Sequence, residues 1–177
     1  MPTCQRALLV IDIQNDYFPG GAFELANAEA TLQQIEQAAA SARSQQIPVI
    51  LVQHIADPAK GLSPFFNQDT HGVALHPRIT AAAPDAAIVV KRFADSFHQT
   101  GLGELLQQWQ VKELLVCGMM TQNCVTHTAL SQAAAPYEVS ILTDCCTTVS
   151  PMLHAIALNA LTSRSDIRLQ SWQQALA

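Results

Sequence analysis

Charged residues are scarce in this chain of 177 residues: they make up 13% of it, and no basic run occurs. Lys and Arg total 9 against 14 Asp and Glu, which gives a net charge of −5. We therefore expect no nucleic-acid partner, because binding of the phosphate backbone depends on clustered positive charge. No apolar stretch of about 18 residues or more occurs, so the sequence predicts no membrane span.

Several cofactor motifs are also missing. No G-x-G-x-x-G follows the first apolar run, and the chain has no P-loop, so a nucleotide cofactor is not expected. The spacing H-E-x-x-H is absent as well, and we predict neither a metal nor another cofactor. One metal site stays open as an alternative. In it, His54 would bind an ion together with His71 or His76, which lie in the irregular region that follows.

The cysteines are odd in number, and none are spaced as C-x-x-C. This pattern favours reduced, buried thiols in a cytoplasmic protein over a disulfide framework. The first apolar run, residues 7–11, ends at Asp12 and is too short for a signal peptide. The cysteines are Cys4, Cys117, Cys124, Cys145 and Cys146.

Hydrophobic residues make up 49% of the chain, enough for one sizeable core, and we expect a single domain over residues 1–177. Short apolar runs alternate with segments of helical periodicity, which predicts a three-layer α/β/α sandwich around a mainly parallel, six-stranded Rossmann-like sheet. Residues 55–86 are predicted to form a long excursion with short helical pieces. The predicted strands are 7–11, 49–52, 87–90, 113–117, 137–142 and 167–169, and the predicted helices are 28–46, 103–110, 124–135 and 151–161.

Three chemically useful side chains follow predicted strands. Asp12 follows the first, Lys91 ends the third, and Cys124 follows a turn after the fourth. In a parallel sheet these positions meet at one edge, where ligands bind. A helix N-terminus and a nearby ammonium would both lower the pKa of the Cys124 thiol. Taken singly, each residue also has a structural interpretation, as a cap, a solvated charge and a core thiol respectively.

Three ordered segments together resemble the isochorismatase-like cysteine hydrolases, a group that includes nicotinamidases and carbamoylsarcosine amidases. Residues 8–18 are similar to the family's first motif. Residues 90–91, with 96–97 and 100–102, resemble its lysine motif. Residues 118–125, with 128–129, resemble its nucleophile motif. The resemblance spans Ala7 to about Leu169.

The resemblance implies a triad of Asp12, Lys91 and Cys124. It also implies a cis peptide bond between Met119 and Met120, and an oxyanion hole built from the N–H groups of Met120 and Cys124. We further predict that five residues contact the substrate, three of them as aromatic pocket walls, with ordinary core packing as the alternative for those three. The five are Gln14, Tyr17, Phe18, Phe97 and Met119.

The chain departs from the family pattern in two places. Residues 52–57 lack the Asp-x-His metal motif of nicotinamidases, which leaves metal and nicotinamide specificity open, and Asp95 stands where many members carry a small hydroxyl residue. Isochorismate-cleaving members lack the nucleophilic thiol, so Cys124 favours acyl transfer to sulfur.

The predicted function is that of a cytoplasmic cysteine amidohydrolase. It would cleave a carbon–nitrogen bond of a small-molecule amide through a thioester, as a homodimer or a larger homo-oligomer. Two alternatives are a catalytically silent binding or scaffold member and a thiol-redox protein with Cys117 as the resolving cysteine. His127 would be either a base or part of a subunit interface.

Overall fold

The computed structural model describes residues 5–177 and contains a six-stranded sheet whose pairings are all parallel. The strands are β1 (Arg6–Ile11), β2 (Val49–His54), β3 (Ala87–Lys91), β4 (Glu113–Met119), β5 (Glu138–Thr147) and β6 (Ile167–Gln170). Their order across the sheet is β3-β2-β1-β4-β5-β6, so the direction of progression reverses between β1 and β4. One predicted buried thiol, Cys4, lies outside the described residues.

Helices flank this sheet, and the predicted three-layer α/β/α class is confirmed. Because crossovers between parallel strands are right-handed, connections that run in opposite directions from the centre cover opposite faces. In residues 5–177, no helix has the length and apolarity that crossing a membrane requires. The helices are α1 (Ala28–Ser44), α2 (Pro77–Ala82), α3 (Leu102–Gln108), α4 (Thr126–Ala129), α5 (Pro151–Leu161) and α6 (Trp172–Ala175).

The central strand β1 is buried on both faces, as its unbroken apolar run predicts. Helix α1 covers one face of the sheet with the apolar positions Leu32, Ile35 and Ala39, which are fully buried and recur at helical spacing. Helix α5 begins where predicted. Its first turn is stabilised by Pro151 and by Ser150, whose hydroxyl accepts a hydrogen bond from the N–H of Leu153.

Several predicted boundaries differ from the structure, and two elements differ most. Strand β5 extends to Thr147 rather than stopping at residue 142, because its pairing with β4 shifts register and resumes beyond the polar residues 143–144. The helix predicted over residues 124–135 starts earlier, with a π-helical turn at Thr121–Val125 that runs into α4. Ser131 then caps a separate 3-10 turn at Gln132–Ala134. Helix α6 was not predicted.

The excursion after β2 is fixed to the segment that follows β1. Asp16 is buried there, and its two carboxylate oxygens accept hydrogen bonds from the N–H groups of Ala22 (3.1 Å) and Phe66 (2.7 Å). Gly72 packs so closely that a Cβ on it would lie 1.9 Å from Asp16 Oδ1. A buried carboxylate with both oxygens bonded thus holds two loops in place.

Gly118 lies where β4 passes closest to the end of β1. Its φ is +125°, and a Cβ there would lie 2.1 Å from the carbonyl oxygen of Ile11. Both the backbone angle and the contact require glycine, since an L side chain disfavours this φ and has no room. Gly118 thereby sets the spacing between the two central strands at their carboxyl ends.

We expect Gly118→Ala to lower the free energy of unfolding by about 2 kcal/mol or more, through backbone strain and overpacking. Urea denaturation measures this. The matched control is Gly103→Ala in α3, where the added methyl meets nothing within 4 Å. This control should gain about 0.5–1 kcal/mol from helix propensity. Equal stability of the two variants would contradict this account of Gly118.

Candidate active site

The carboxyl ends of β1 and β4 form the crevice in which the predicted residues meet. Asp12 follows β1 directly, is fully buried, and has a left-handed backbone (φ 56°). Its N–H donates to the carbonyl of Val52, 3.0 Å away on β2. The β1/β4 boundary is the point where strand order reverses, which is where open α/β sheets bind ligands.

Lys91, the last residue of β3, brings a buried positive charge to Asp12. Its side chain is fully shielded from solvent, and Nζ donates to Asp12 Oδ2 at 2.9 Å. The same ammonium donates to the carbonyl of Phe93 at 3.1 Å and lies 3.2 Å from Nδ1 of His54. An ion pair in this setting needs such additional hydrogen bonds, because both charges have left water.

Cys124 lies beside this pair, with only 1% of its surface exposed. Its Sγ, a carboxylate oxygen of Asp12 and a ring nitrogen of His54 all lie within 4.8 Å of one another. Within residues 5–177, Asp12 Oδ1 is buried and has no hydrogen-bond partner. One oxygen of Asp12 is therefore held by Lys91, and the other is available to accept a proton.

The predicted lowering of the thiol pKa is wrong. Burial raises the pKa of Cys124 and the Asp12 carboxylate raises it further, and together they outweigh Lys91, which acts in the opposite direction. Burial also disfavours the charged form of Lys91, but Asp12 and Cys124 outweigh it and the pKa of the ammonium is raised. At neutral pH the resting site therefore holds a protonated thiol and a charged lysine.

The chain reaches Cys124 through a cis peptide bond between Met119 and Met120. Met119 ends β4 fully buried, and Met120 has extended backbone angles (φ −91°, ψ 145°) before the π-helical turn. Within that turn the N–H of Val125 donates to the Met120 carbonyl at 3.3 Å. Cys124 is the fourth residue of this turn, so the helix begins three residues before the predicted start at Cys124.

Gln14 has a structural position, contrary to its predicted contact with substrate. Its Nε2 donates to the carbonyls of His54 (2.8 Å) and Val73 (2.7 Å), and its Oε1 accepts from the N–H of His54 at 2.8 Å. Both amide hydrogens of Gln14 are thus hydrogen-bonded to backbone carbonyl oxygens. Gln14 joins the ends of β1 and β2 to the excursion.

Two of the predicted aromatic walls, Phe18 and Phe97, pack against other rings. Phe18 packs on His76, with ring centroids 4.3 Å apart, and lines a separate cavity of about 430 Å³. Phe97 stacks on Tyr137, which precedes β5 and so lies towards the amino edge of the sheet. Hydrophobicity indicates that an aromatic residue is buried, but it does not indicate which side of the sheet it packs on.

Tyr17 does lie near the site. It packs against Phe66 with ring centroids 4.6 Å apart, and Phe66 in turn lies 5.9 Å from the ring of His54. Burial raises the pKa of the Tyr17 hydroxyl, with further contributions from the charges of Asp12 and Cys124. Phe66, which sequence reasoning missed, belongs to this aromatic wall and is supplied by the excursion.

Asp95, where the chain departs from the family pattern, connects the lysine segment to the helix of Cys124. Its Oδ1 accepts from the N–H of Phe97 at 2.8 Å, and its Oδ2 accepts from the hydroxyl of Ser131 at 2.7 Å. A second bridge joins Ser96 and Thr128, whose hydroxyls lie 2.8 Å apart. The carboxylate therefore orders the loop that follows Lys91.

The site does not fit a bound metal ion. Asp12, His54 and Cys124 offer three donor atoms, but the Lys91 ammonium already contacts Asp12 Oδ2 and His54 Nδ1. His71 and His76 line the separate cavity with Phe18. Asp57 bonds Ala59 and Arg92 instead of facing the site.

The remaining thiols and His127 lie apart from the triad residues. Cys117 lies near Cys145, Cys146 and Asp144. Burial raises the pKa of the Cys117 thiol well above its ordinary value, and the charges of Cys146 and Asp144 raise it further. All four described cysteines are free. His127 is exposed, and its Nδ1 lies 2.9 Å from the carbonyl of Asn123. The structure therefore favours neither Cys117 as a resolving thiol nor His127 as a base.

His54 lies at the expected edge of the sheet, but sequence reasoning missed its contact with Lys91. As the last residue of β2 it follows the same rule that located Asp12 and Lys91, since strand ends meet at one edge. The sequence offered it only as a metal ligand. Its contact with Lys91 depends on the register of β2 with β3, in which the two residues are paired.

The isochorismatase domain family model matches residues 6–172. YddQ of Bacillus subtilis (strain 168), an uncharacterized isochorismatase family protein, is 38% identical over 144 residues, covering 81% of this chain and 78% of YddQ. Nicotinamidase of Escherichia coli (strain K12) is 26% identical, covering 96% of this chain and 97% of that enzyme.

A solved structure of an isochorismatase family protein from Desulfovibrio vulgaris subsp. vulgaris (strain Hildenborough) has the same fold. Its TM-score is 0.87 at 24% identity, and the match covers 97% of this chain and 96% of that one. The family model spans nearly the whole sheet and all three segments that carry the resemblance. The chain belongs to the isochorismatase domain family.

Proposed function

We propose that this chain is a cysteine hydrolase that cleaves a carbon–nitrogen bond of a small amide through a thioester on Cys124. The observation that carries the proposal is the buried ion pair of Lys91 and Asp12, with a carboxylate oxygen of Asp12 within 4.8 Å of the thiol sulfur and Oδ1 without a hydrogen-bond partner in residues 5–177. The match to a protein named nicotinamidase along 96% of the chain supports amide chemistry. We propose that residues 1–177 act as a single domain.

The first half-reaction forms the thioester. Because the resting thiol is protonated, Asp12 takes its proton as Sγ attacks the carbonyl carbon of the amide. The carbonyl oxygen becomes an oxyanion, which the N–H groups of Met120 and Cys124 bind. The carbon–nitrogen bond then breaks, and protonated Asp12 gives the proton to the departing amine. Lys91 keeps its charge throughout and stabilises the negative charge as it moves between Asp12 and sulfur.

The second half-reaction releases the acid. Asp12, again a carboxylate, takes a proton from water as the water oxygen attacks the thioester carbon. The carbon–sulfur bond breaks, and the thiolate recovers the proton from Asp12. The net charge of the buried site does not change during the cycle, so no step adds the cost of burying a further charge.

A thiol-dependent acyl transfer fits this site better than vinyl-ether cleavage of isochorismate does. The nucleophile, a proton acceptor and a balancing cation lie within contact of one another, and acyl transfer uses all three. The substrate must be small, because Cys124 is nearly covered by its surroundings. We propose Tyr17, Phe66 and Met120 as its apolar surroundings.

A scaffold role explains the ion pair less well. Replacing a buried ion pair by apolar residues of similar volume is often neutral or stabilising, so such a pair is weak evidence for a purely structural role. The reaction uses the pair directly. Asp12 must be a carboxylate to accept the proton, and Lys91 stabilises that negative charge in a buried site.

We also propose that the protein is a homo-oligomer in a reducing compartment such as the cytoplasm. Met152 and Ile156 on α5 are largely exposed, and Leu130 after α4, which lines one groove with Ile156, is 41% exposed; we propose that these apolar side chains contact a second subunit. The four described free thiols are compatible with a reducing environment.

Removing the nucleophile tests the proposal. Across a panel of small amides assayed for ammonia release, Cys124→Ala should lower the rate by about 10²-fold or more. Cys117→Ala is the matched control, because that thiol is buried away from Asp12 and Lys91, and it should keep its activity. Ammonia release that survives Cys124→Ala would contradict the proposal.

The pH dependence tests the coupled proton transfer. The pKa values of Cys124 and Lys91 are both raised, so both groups keep their protons as the pH rises towards 9. We expect kcat/KM to stay level from about pH 7.5 to 9, because Asp12 takes the thiol proton during attack. A rate that climbs with pH across this range would instead indicate attack by a preformed thiolate.

A further inference from the structure

His54 is fixed from two sides at the end of β2. Its N–H donates to Gln14 Oε1 and its carbonyl accepts from Gln14 Nε2, each at 2.8 Å. The imidazole lies against the ring of Phe66, with centroids 5.9 Å apart. The backbone of His54 is therefore held by two hydrogen bonds, and its ring packs beside that of Phe66.

The contact with Lys91 determines the tautomer of this imidazole. An ammonium group can only donate hydrogen bonds, so Nδ1, 3.2 Å from Lys91 Nζ, must carry a lone pair. The ring proton is then on Nε2, and the imidazole is neutral. Lys91 has three N–H bonds, and these meet Asp12 Oδ2, the Phe93 carbonyl and His54 Nδ1, while the Ala94 carbonyl lies farther away at 3.5 Å.

We propose that His54 is a positioning residue, which as a neutral acceptor fixes the third direction of the Lys91 ammonium and so keeps it aimed at Asp12. This inference rests on the proposed function of the site, in which Lys91 stabilises the moving negative charge. An acceptor in this place orients the cation without adding charge. A carboxylate here would compete with Asp12 for the ammonium.

The arrangement should fail in acid. Protonation of His54 would put an N–H on Nδ1 and place two cations 3.2 Å apart. The charged or titratable groups that face His54 are Lys91, Asp12 and Cys124. Burial, followed by Lys91, lowers the pKa of His54, and Asp12 opposes them. The neutral form is therefore dominant at pH 7, and the contact is lost as the pH falls through this lowered pKa.

Two-bond ¹H–¹⁵N spectra of the imidazoles test the tautomer without any assay of activity. At pH 7.5 we expect the Nε2–H form for His54, with the signal assigned by its loss in His54→Gln. His127 is the internal reference, because its Nδ1 faces the Asn123 carbonyl and must donate. An Nδ1–H tautomer or an imidazolium at His54 would overturn the proposal. Failure to find an amide substrate would count against the proposed function and leave this result intact.

Kinetics on two variants provide the second test. His54→Leu removes the acceptor and should lower kcat/KM by up to about 10²-fold, as expected when a group at the site is misplaced. His54→Gln retains an acceptor oxygen that does not titrate. It should recover most of the activity and shift the acid limb of the pH profile downward. Equal losses in both variants, or an unchanged acid limb in His54→Gln, would overturn the role of His54.

Discussion

The arrangement of the candidate site depends on one interaction, the ion pair of Lys91 and Asp12 buried under the carboxyl edge of the sheet. Neither charge can reach water, so each must be satisfied by the protein. Three separate chain segments supply the partners: the end of β1, the end of β3 with its following loop, and the end of β2. Those segments are held at fixed distances because the sheet itself sets the spacing of neighbouring strands.

In the reaction proposed above, the same pair allows the protonated thiol to serve as the nucleophile. A preformed thiolate in this buried site would meet the unfavourable charge of Asp12 as well as the cost of burial. Transfer of the proton to Asp12 moves one negative charge over a short distance and leaves the total unchanged. On this proposal the site relocates a charge next to a fixed cation, whose ammonium also contacts Nδ1 of His54 at 3.2 Å.

Much of the fold follows from the sequence, since continuous apolar runs indicate strands buried on both faces, and parallel strands place Asp12, Lys91 and Cys124 at one edge. The sequence did not reveal how side chains within the site pair. Gln14 bonds only backbone, and Phe97 packs towards the opposite edge. These outcomes depend on strand register and on the path of the excursion, and neither is encoded in local periodicity. The pKa of Cys124 is likewise raised mainly by burial, and the spacing of residues in the sequence does not indicate how deeply a thiol is buried.

The way the excursion is attached bears on how relatives of this protein could diverge. Its polypeptide is attached through hydrogen bonds that include those from Gln14 to Val73 and from Phe66 to Asp16, whereas Asp12 and Lys91 lie at the ends of strands. Stretches between the tethers can change in length and composition without moving sulfur, carboxylate or ammonium. Because Phe66 lies in this segment and faces both Tyr17 and His54, such changes would remodel the chamber around the reacting atoms. Substrate specificity could change in this way while the cysteine, the carboxylate and the lysine stay the same.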